Sequence, residues 1–336
     1  MEGVCAADKD GCNMEKRIKN FKWLITAAAA AVLAVILAWG CLHFRQYEKE
    51  QSPRLFGATY MTRNNPFFDV LHDALNEVVE GNGDILISRD PQQDQKKQNA
   101  QILEMIDEGI EVLFLNPVDW QEVKPALEAC RRAGVPVFNI DTTVKDTEYV
   151  VSVIETDNYQ AGVVCAEDMM ERVPSARILI LDNPIQMSIT NRVQGFLDTI
   201  EGHDEYTVVH QEAAAGELEV AARVTTDTLI NQNISFDVVL GGNDPSALGA
   251  LAALQQNHCE EGVLIYGIDG SPDFKALLET GYVTGTSLQS PKGIGQKAAE
   301  AAYQYLQGEE VDPYISIPSV LITKDNLSQY TINGWQ

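Results

Sequence analysis

The sequence predicts an α/β protein with two mostly parallel sheets, preceded by an N-terminal membrane or signal segment. Short β-branched runs alternate with helical patterns along most of the 336 residues, and this alternation is typical of parallel sheets with helices on both faces. The ten candidate strands are more than one sheet usually holds in a chain of this length, so two sheets of about five strands are expected. An uncharged run near the N-terminus has the length of a membrane span.

The uncharged run extends from Trp23 to Leu42 and follows a cluster of four Lys and Arg residues. Positive residues stay on the cytoplasmic side, so residues 45–336 are expected outside the cytoplasm. Three outcomes remain open: an uncleaved anchor, lipidation at Cys41, or plain cleavage. The anchor is favoured because Trp39 is large where a lipoprotein signal usually has a small residue. Met14 opens a stretch typical of secretion signals and is an alternative start.

Charge and cysteine content exclude several classes of function. The net charge of −25 makes a nucleic-acid partner unlikely on electrostatic grounds, because the phosphate backbone repels an acidic surface. Residues 43–54 are polar and form a linker. Cys130, Cys165 and Cys259 are scattered and are predicted to be core residues, with one disulfide possible. No metal-ligand spacing occurs in the sequence, and neither a metal nor a cofactor is expected.

The elements follow from the periodicity of apolar residues. The predicted strands are Phe56–Tyr60, Asp84–Ser88, Val112–Leu115, Val135–Ile140, Tyr149–Ile154, Arg177–Leu181, Thr207–Gln211, Asp237–Leu240, Val263–Ile268 and Val283–Ser287. The predicted helices include Phe68–Val79, Asn99–Glu108, Glu122–Ala133, Asn158–Arg172, Asn191–Ile200, Ser246–Gln256 and Lys292–Leu306.

Polar side chains follow the carboxyl ends of the predicted strands, where ligands bind in open α/β sheets. The candidates are Asn65, Asn116, Asp141, Asn243, Asp269 and Gln289, with Arg192 at a helix start. Each alone is explained as a helix cap or a turn residue, but together they indicate a site. Phe67 and Phe68 are adjacent aromatics in the turn after the first strand, and they either face a ligand or include one core ring.

This set of side chains suits a sugar or a polyol, whose hydroxyls both donate and accept. The Asp141 and Asp269 carboxylates accept hydroxyl protons, and Arg192 donates from a planar fork. The amides do both. The flat rings of Phe67 and Phe68 suit the C–H face of a sugar.

Several motifs resemble the periplasmic sugar-binding proteins of the ribose-binding type. They are Asn64-Asn65-Pro66-Phe67-Phe68, Val135-Pro136-Val137 leading to Asp141, Arg192-Val193-Gln194-Gly195-Phe196, Asn243-Asp244 followed by Ala247-Leu248-Gly249-Ala250, Gly267-Ile268-Asp269-Gly270, and Gln289. The resemblance extends from about Leu55 to Thr323.

The resemblance implies two Rossmann-like lobes joined by a three-stranded hinge, with crossings near residues 156, 289 and 318. It assigns residues 55–156 and 290–318 to an N-terminal lobe, and 157–289 and 319–336 to a C-terminal lobe, after residues 1–54. The lobes would close on the ligand and present it to an ABC-type permease. The alternative is a membrane-anchored sensory accessory that reports the sugar to a two-component kinase or a chemoreceptor.

The chain departs from the ribose-type pattern at three positions. Thr142 stands where the family has an Arg, Met61 replaces a serine, and a family Phe falls near Ala215. These changes predict a larger pocket with less positive charge, so the identity of the sugar stays open among pentoses, hexoses and polyols. Arg63 is an alternative source of the lost charge.

An enzyme is not expected from the sequence. Asp141 and Asp269 could be imagined as the carboxylate pair of a glycosidase. However, the neighbouring Arg and amides are expected to keep both groups ionised, which would remove the general acid. No nucleophile elbow or phosphate-binding glycine loop occurs in the sequence.

Overall fold

The computed structural model describes Trp23, residues 31–40, His43 and residues 52–335. The chain divides into two units, residues 1–53 and residues 54–336. In the first unit, residues 31–40 are helical. A search of the described residues finds no helix with both the length and the hydropathy needed to cross a membrane. The predicted span over residues 23–42 is only partly described, and the alternatives at Cys41 and Met14 lie outside the described residues.

The second unit contains two lobes, each built on a six-stranded sheet. The first lobe holds β1 Leu55–Thr59, β2 Ile85–Arg89, β3 Val112–Leu115, β4 Val137–Ile140, β5 Ser152–Thr156 and β11 Tyr314–Ile317, in the spatial order β11-β5-β4-β3-β1-β2. The second lobe holds β6 Ala176–Asp182, β7 Tyr206–Ala213, β8 Val238–Gly241, β9 Leu264–Asp269, β10 Gly285–Leu288 and β12 Leu321–Thr323, in the order β12-β10-β9-β8-β6-β7.

Nine helices within residues 52–335 connect the strands. They are α1 Pro66–Gly81, α2 Gln95–Asp107, α3 Lys124–Ala133, α4 Asn158–Arg172, α5 Met187–Ile200, α6 Leu218–Ile230, α7 Asp244–Gln256, α8 Pro272–Thr280 and α9 Pro291–Leu306. Many begin at a side-chain cap, as Asn65, Asp157 and Asn243 do, because a cap satisfies one of the free N–H groups of the first turn.

The strands alternate their side chains between two apolar layers, as a buried parallel sheet requires. In β3, Val112 and Phe114 pack in the layer under α1 and α9, while Leu113 and Leu115 pack in the opposite layer with residues of α2 and α3. In β6 of the second lobe, the side chains alternate in the same way between two buried clusters. Each sheet is therefore covered on both faces.

The chain passes between the two sheets three times. It leaves the first sheet after β5, returns to the first lobe after β10, where α9 packs on the first core, and leaves again between β11 and β12. All neighbouring strands within each sheet are parallel except β10 and β12. The right-handed crossovers that join parallel strands place the carboxyl ends of each sheet at one edge.

The structure corrects the predicted elements at several points. The strand predicted over Tyr149–Ile154 begins only at Ser152, because residues 147–149 form a 3₁₀ turn. Two short edge strands, β11 and β12, were not predicted, so each sheet has six strands instead of about five. The side chains of β11 are partly or largely exposed, and β12 has three residues. Neither carries the apolar run that marks a central strand.

Candidate functional site

A cavity of about 550 Å³ lies between the carboxyl ends of the two sheets. Side chains of both lobes line it. The lining includes Met61, Asn65, Phe67, Phe68, Asp141, Gln186, Ser188, Arg192, Ala215, Asn243, Asp269, Gln289 and Trp335. The volume lies in the range of small-molecule sites.

Eight of the nine predicted site residues line this cavity. They are Asn65, Phe67, Phe68, Asp141, Arg192, Asn243, Asp269 and Gln289. The ninth, Asn116, does not line it. Asn116 is fully buried behind Asp141: its Nδ2 donates to Asp141 Oδ2 at 2.9 Å, and its Oδ1 accepts from the Met61 N–H at 2.9 Å. It therefore positions a cavity carboxylate instead of facing a ligand.

Asp141 follows β4 in a left-handed backbone conformation, with φ at 63°. This conformation is uncommon for a residue with a side chain, and it turns the chain sharply at the strand end. Only 6% of the residue is exposed. Burial raises the pKa of Asp141 to about 6, although the Arg192 charge and the hydrogen bonds from Thr142 and Asn116 act in the opposite direction.

Arg192 is held by two hydrogen bonds at the bottom of the cavity. Its Nε donates to Asn158 Oδ1 at 2.9 Å, and its Nη1 donates to the Gly242 carbonyl at 2.8 Å. The side chain is 3% exposed. These bonds to protein acceptors use two of the five N–H donors of the guanidinium. The guanidinium is therefore fixed in place and still has donors for a ligand.

The close crossing of α4 and α5 explains how Arg192 reaches this position. A Cβ on Gly195 would lie 2.1 Å from the Tyr159 carbonyl oxygen, and a Cβ on Gly162 would lie 1.8 Å from the Arg192 carbonyl oxygen. Both positions therefore require glycine. The backbones touch, and Arg192 of α5 can bond Asn158 at the start of α4.

Asp269 and Gln289 form a second polar group at the ends of β9 and β10. Gln289 Nε2 donates to Asp269 Oδ1 at 2.7 Å, and the Asp244 N–H lies 3.3 Å from Asp269 Oδ2. Burial and then the nearby Asp244 carboxylate raise the pKa of Asp269. The Gln289 Oε1 is buried and has no hydrogen-bond partner among the described residues, so it is an acceptor open to a ligand donor.

These pKa shifts correct the argument against a glycosidase. The Arg and amides were expected to keep Asp141 and Asp269 ionised, but burial outweighs them and raises the pKa of both groups. The expectation that both groups stay ionised was therefore wrong for Asp269, whereas Asp141, with a pKa of about 6, is still largely ionised at pH 7. Burial favours the neutral form of any carboxyl that leaves water.

Within the two lobes, the aromatic part of the described cavity lining comes from the first lobe. Phe67 and Phe68 are 2% and 3% exposed and meet edge to face, with ring centroids 5.3 Å apart. Asn65 caps α1 by accepting from the Phe67 N–H at 3.0 Å, so its cap role and its place in the cavity wall coexist. Asn243 likewise caps α7, with its Oδ1 accepting from the Ser246 N–H at 3.0 Å.

The cavity-lining residues that were not predicted as site residues include Gln186, Ser188 and Trp335. The first two follow the end of β6, so the strand-end rule would have found them had it been applied to that strand. Trp335 lies in the C-terminal tail, beyond the last strand, where no such rule applies. Its ring meets Phe67 with centroids 5.7 Å apart.

The two lobes touch each other around the cavity. The hydroxyls of Thr142 and Ser188 are 2.8 Å apart. The backbone N–H of Trp120 donates to the Ile185 carbonyl at 3.2 Å. Further contacts between the lobes join Gln93 to Glu217 and Gln186 to Met61. The structure is therefore a closed arrangement of the lobes.

The departures from the ribose-type pattern have clear structural positions. Met61 and Ala215 line the cavity, whereas Thr142 contacts Ser188 of the facing lobe. Arg63 does not supply a charge to the cavity. It lies outside the lining and forms an ion pair with Asp69 at 2.7 Å. Arg192 is the one cationic side chain in the described cavity lining.

Among the residues that the structure describes, no cluster of three or more His, Cys, Asp or Glu side chains is placed to hold a metal ion. The predicted core role of the cysteines is correct for Cys130 and Cys165, which are buried, but wrong for Cys259, which is exposed; all three are free thiols. Cys259 follows α7 and lies on the surface.

Comparison with known proteins shows the family. Residues 56–310 match the model of the periplasmic binding protein domain. The ribose import binding protein of Bacillus subtilis is 29% identical over 270 residues, covering 80% of this chain and 87% of the relative. That of Escherichia coli is 28% identical over 265 residues, covering 78% of this chain and 88% of the relative.

Solved structures agree with this result. An ABC transporter solute binding protein from Mycobacterium smegmatis with bound glycerol is 27% identical, with a TM-score of 0.78, covering 85% of this chain and 98% of its own. One from Bacillus halodurans with bound myo-inositol is 25% identical, with a TM-score of 0.77, covering 83% and 97%. The motifs, the two lobes and these matches together show that the chain belongs to the periplasmic binding protein family and is related to its type I sugar-binding members, as the sequence motifs predicted.

Proposed function

We propose that the protein is an extracytoplasmic solute-binding protein that captures a small sugar or polyol between its lobes and presents it to an ABC-type permease. One observation supports this most directly: polar side chains from both lobes line the same cavity, including Asp141 from the first and Arg192 and Asp269 from the second. A ligand can touch both groups only when the lobes are together, so binding favours closure.

The chemistry of the cavity favours a ligand with several hydroxyls. Asp141 and Gln289 Oε1 accept hydrogen bonds, while Arg192 and the Asn65 amide donate them. The Asp269 carboxyl accepts when it is ionised and can also donate in the neutral form that burial favours. A hydroxyl can do both, and a ligand without one at the right position would leave a buried group unpaired. Relatives bind molecules of this class: their names or structures specify ribose, D-apiose, glycerol and myo-inositol.

We propose that closure bends the chain at the three crossings near residues 156, 289 and 318, dividing it into the lobes 55–156 with 290–318 and 157–289 with 319–336. Gln289 lies at the second crossing and also lines the cavity. Its side-chain amide donates to Asp269, another residue of the cavity. A ligand that contacts Asp269 would therefore act on the second crossing through Gln289.

The permease role is favoured over enzymatic activity because the matched relatives are import and solute-binding proteins. We further propose that residues 23–42 tether the protein to the membrane, with residues 45–336 outside the cytoplasm. Mass spectrometry of the native N-terminus tests the tether. An intact residue 23–42 segment supports a helix anchor, an acylated Cys41 supports a lipid anchor, and an unmodified terminus beyond residue 42 contradicts both.

A thermal-shift screen against pentoses, hexoses, inositols and glycerol tests ligand capture. Ligand at about 100 times its Kd stabilises the folded state by about 2.7 kcal/mol, which raises Tm by about 5–10 °C. Asp141→Ala is expected to lose this shift. Tyr282→Ala is the matched control, because Tyr282 is exposed and outside the cavity. A full shift in Asp141→Ala with the best ligand contradicts the proposed site.

Closure is tested separately by small-angle X-ray scattering. The radius of gyration is expected to fall when the best sugar from the screen is added, because the lobes approach each other. A sugar that raises Tm without changing the radius of gyration contradicts capture by hinge closure.

A further inference from the structure

The C-terminal tail, residues 330–335, contacts both lobes. Tyr330 and Ile332 pack against a buried cluster of the second lobe. Trp335, only three residues after Ile332, packs instead against the core of the first lobe, where its ring meets Phe67 at an interplanar angle of 76°. The tail therefore starts on one lobe and ends on the other.

Lys275 of α8 holds the tail in place. Its Nζ donates to the Thr331 carbonyl at 2.7 Å and to the Gly334 carbonyl at 2.6 Å. The residue is completely buried, and no carboxylate lies within ion-pair distance among the described residues. A buried lysine is rare because its desolvation is costly. Here the hydrogen bonds that offset this cost both go to the tail.

Trp335 also completes the wall of the cavity. Three aromatic side chains occur in the described lining, and two of them, Phe67 and Phe68, belong to the first lobe. The second-lobe wall near the cavity carries Ala215 and Gly216, which present no ring. Trp335 thus provides an aromatic surface on a segment anchored to the second lobe.

We propose that the C-terminal tail is part of the ligand-binding site, with Trp335 acting as a specificity and retention residue that Lys275 positions. In this proposal, which rests on the proposed capture of a sugar or polyol, the indole covers an apolar C–H face of the ligand. Because Trp335 is anchored to one lobe and Phe67 belongs to the other, their contact forms only on closure. The contact slows ligand release.

The expected effect follows from the energetics of aromatic pairs. Such a pair contributes a factor of about 2 to 12 to an equilibrium constant beyond its buried area. Loss of both the ring pair and the ligand contact in Trp335→Ala should therefore raise Kd by about tenfold. Most of this change is expected in koff, because the contact exists only after closure. Trp335→Phe keeps a ring and should recover most of the affinity.

The binding arm of the test uses the full chain with the sugar that gives the largest shift in the thermal screen, measured by calorimetry and stopped-flow kinetics. Trp335→Ala, Trp335→Phe and a chain ending at Gly334 are compared with Tyr282→Ala. Tail involvement predicts weaker binding and faster release in the alanine variant and the shortened chain, and unchanged binding in the Tyr282 control. Equal Kd and koff in wild type and Trp335→Ala overturn the proposal.

A second arm needs no ligand. Carboxypeptidase digestion followed by mass spectrometry reports whether the tail is held. Wild type is expected to stall before Gly334 is removed, whereas Lys275→Met should be trimmed through Thr331. Free trimming of wild type overturns the tail proposal even when a sugar binds. A screen in which no sugar binds wild type instead overturns the proposed function, and the digestion result then shows separately whether Lys275 anchors the tail.

Discussion

Gly195→Ala offers a direct test of how the crossing of α4 and α5 builds the site. The added Cβ would lie 2.1 Å from the Tyr159 carbonyl oxygen. Real Cβ atoms essentially never approach closer than 3.0 Å, and both partners are helical backbone, which cannot rotate away. The helices must therefore separate by about 1 Å, since a close-packed interior has no free space to absorb the methyl group.

Two consequences follow from this separation. Overpacking of a core typically costs 1–3 kcal/mol, so we expect a loss of about 2 kcal/mol and a Tm lower by about 4–8 °C. The hydrogen bond of 2.9 Å between Arg192 Nε and Asn158 Oδ1 spans the same crossing and should lengthen beyond bonding distance. Without this hydrogen bond the Arg192 guanidinium is less well oriented, and the Kd for the sugar that binds most tightly in the thermal-shift screen is expected to rise by about tenfold.

The assay combines thermal melting without ligand and calorimetric titration at a temperature where both proteins are folded. Gly81→Ala is the matched control: Gly81 lies in α1 with nothing within 4 Å of an added Cβ. Alanine there should leave binding unchanged and stabilise the helix by up to about 1 kcal/mol. If Gly195→Ala melts at or above the temperature of Gly81→Ala and binds normally, the close-approach argument is refuted.

Three further predictions concern charge and thiols. Arg192→Ala should raise the sugar Kd at least about tenfold by calorimetry, because a fixed charged donor is lost; unchanged affinity would exclude it from the site. Affinity should fall as pH drops through about 6, the raised pKa of Asp141, because the neutral acid accepts a ligand hydroxyl less well; Asp141→Asn should flatten this part of the profile. Without ligand, the contribution of Asp141 to stability should fall as pH rises from about 4 to about 6, since the unfolded chain releases this proton first; melting curves of wild type and Asp141→Asn compared across this range check the sign. In iodoacetamide labelling read by mass spectrometry, Cys259 should react in the native protein, while Cys130 and Cys165 should not, because they are buried and their pKa is raised by burial.

Local patterns were sufficient to predict the two-sheet α/β architecture and eight of the residues that line the cavity. Parallel strands bring their carboxyl ends to one edge, so a polar residue such as Asp141 or Asp269 could be placed near the ligand without knowing its contacts. The same rule could not tell which side chain faces outward. Asn116 follows a strand end as the rule requires, but its side-chain amide bonds to Asp141 and Met61 instead of facing the cavity. The direction of this side chain is decided by three-dimensional packing.

Other features depended on contacts between residues far apart in the sequence. Trp335 reaches Phe67 across 268 residues of chain, and the buried ammonium of Lys275 helps to fix the path of the tail between them. The pKa of Asp141 could not be read from its polar neighbours, because the dominant effect is the depth of burial in the closed structure. The sequence shows which charged and polar groups are present, but the extent to which each carboxyl is buried determines its pKa.

The open acceptor at Gln289 links ligand selectivity to the proposed hinge closure. Gln289 gives its amide N–H to Asp269 and leaves Oε1 buried, with no hydrogen-bond partner in the part of the chain that the structure describes. A buried polar atom without a hydrogen bond costs about 1–3 kcal/mol, so a ligand that fills the cavity without offering a donor to Oε1 is expected to bind less tightly by about this amount. A ligand hydroxyl that reaches Oε1 removes this penalty at the moment the lobes meet. In the proposed closure, the same atom therefore favours the closed state more strongly for ligands that carry a donor at that position.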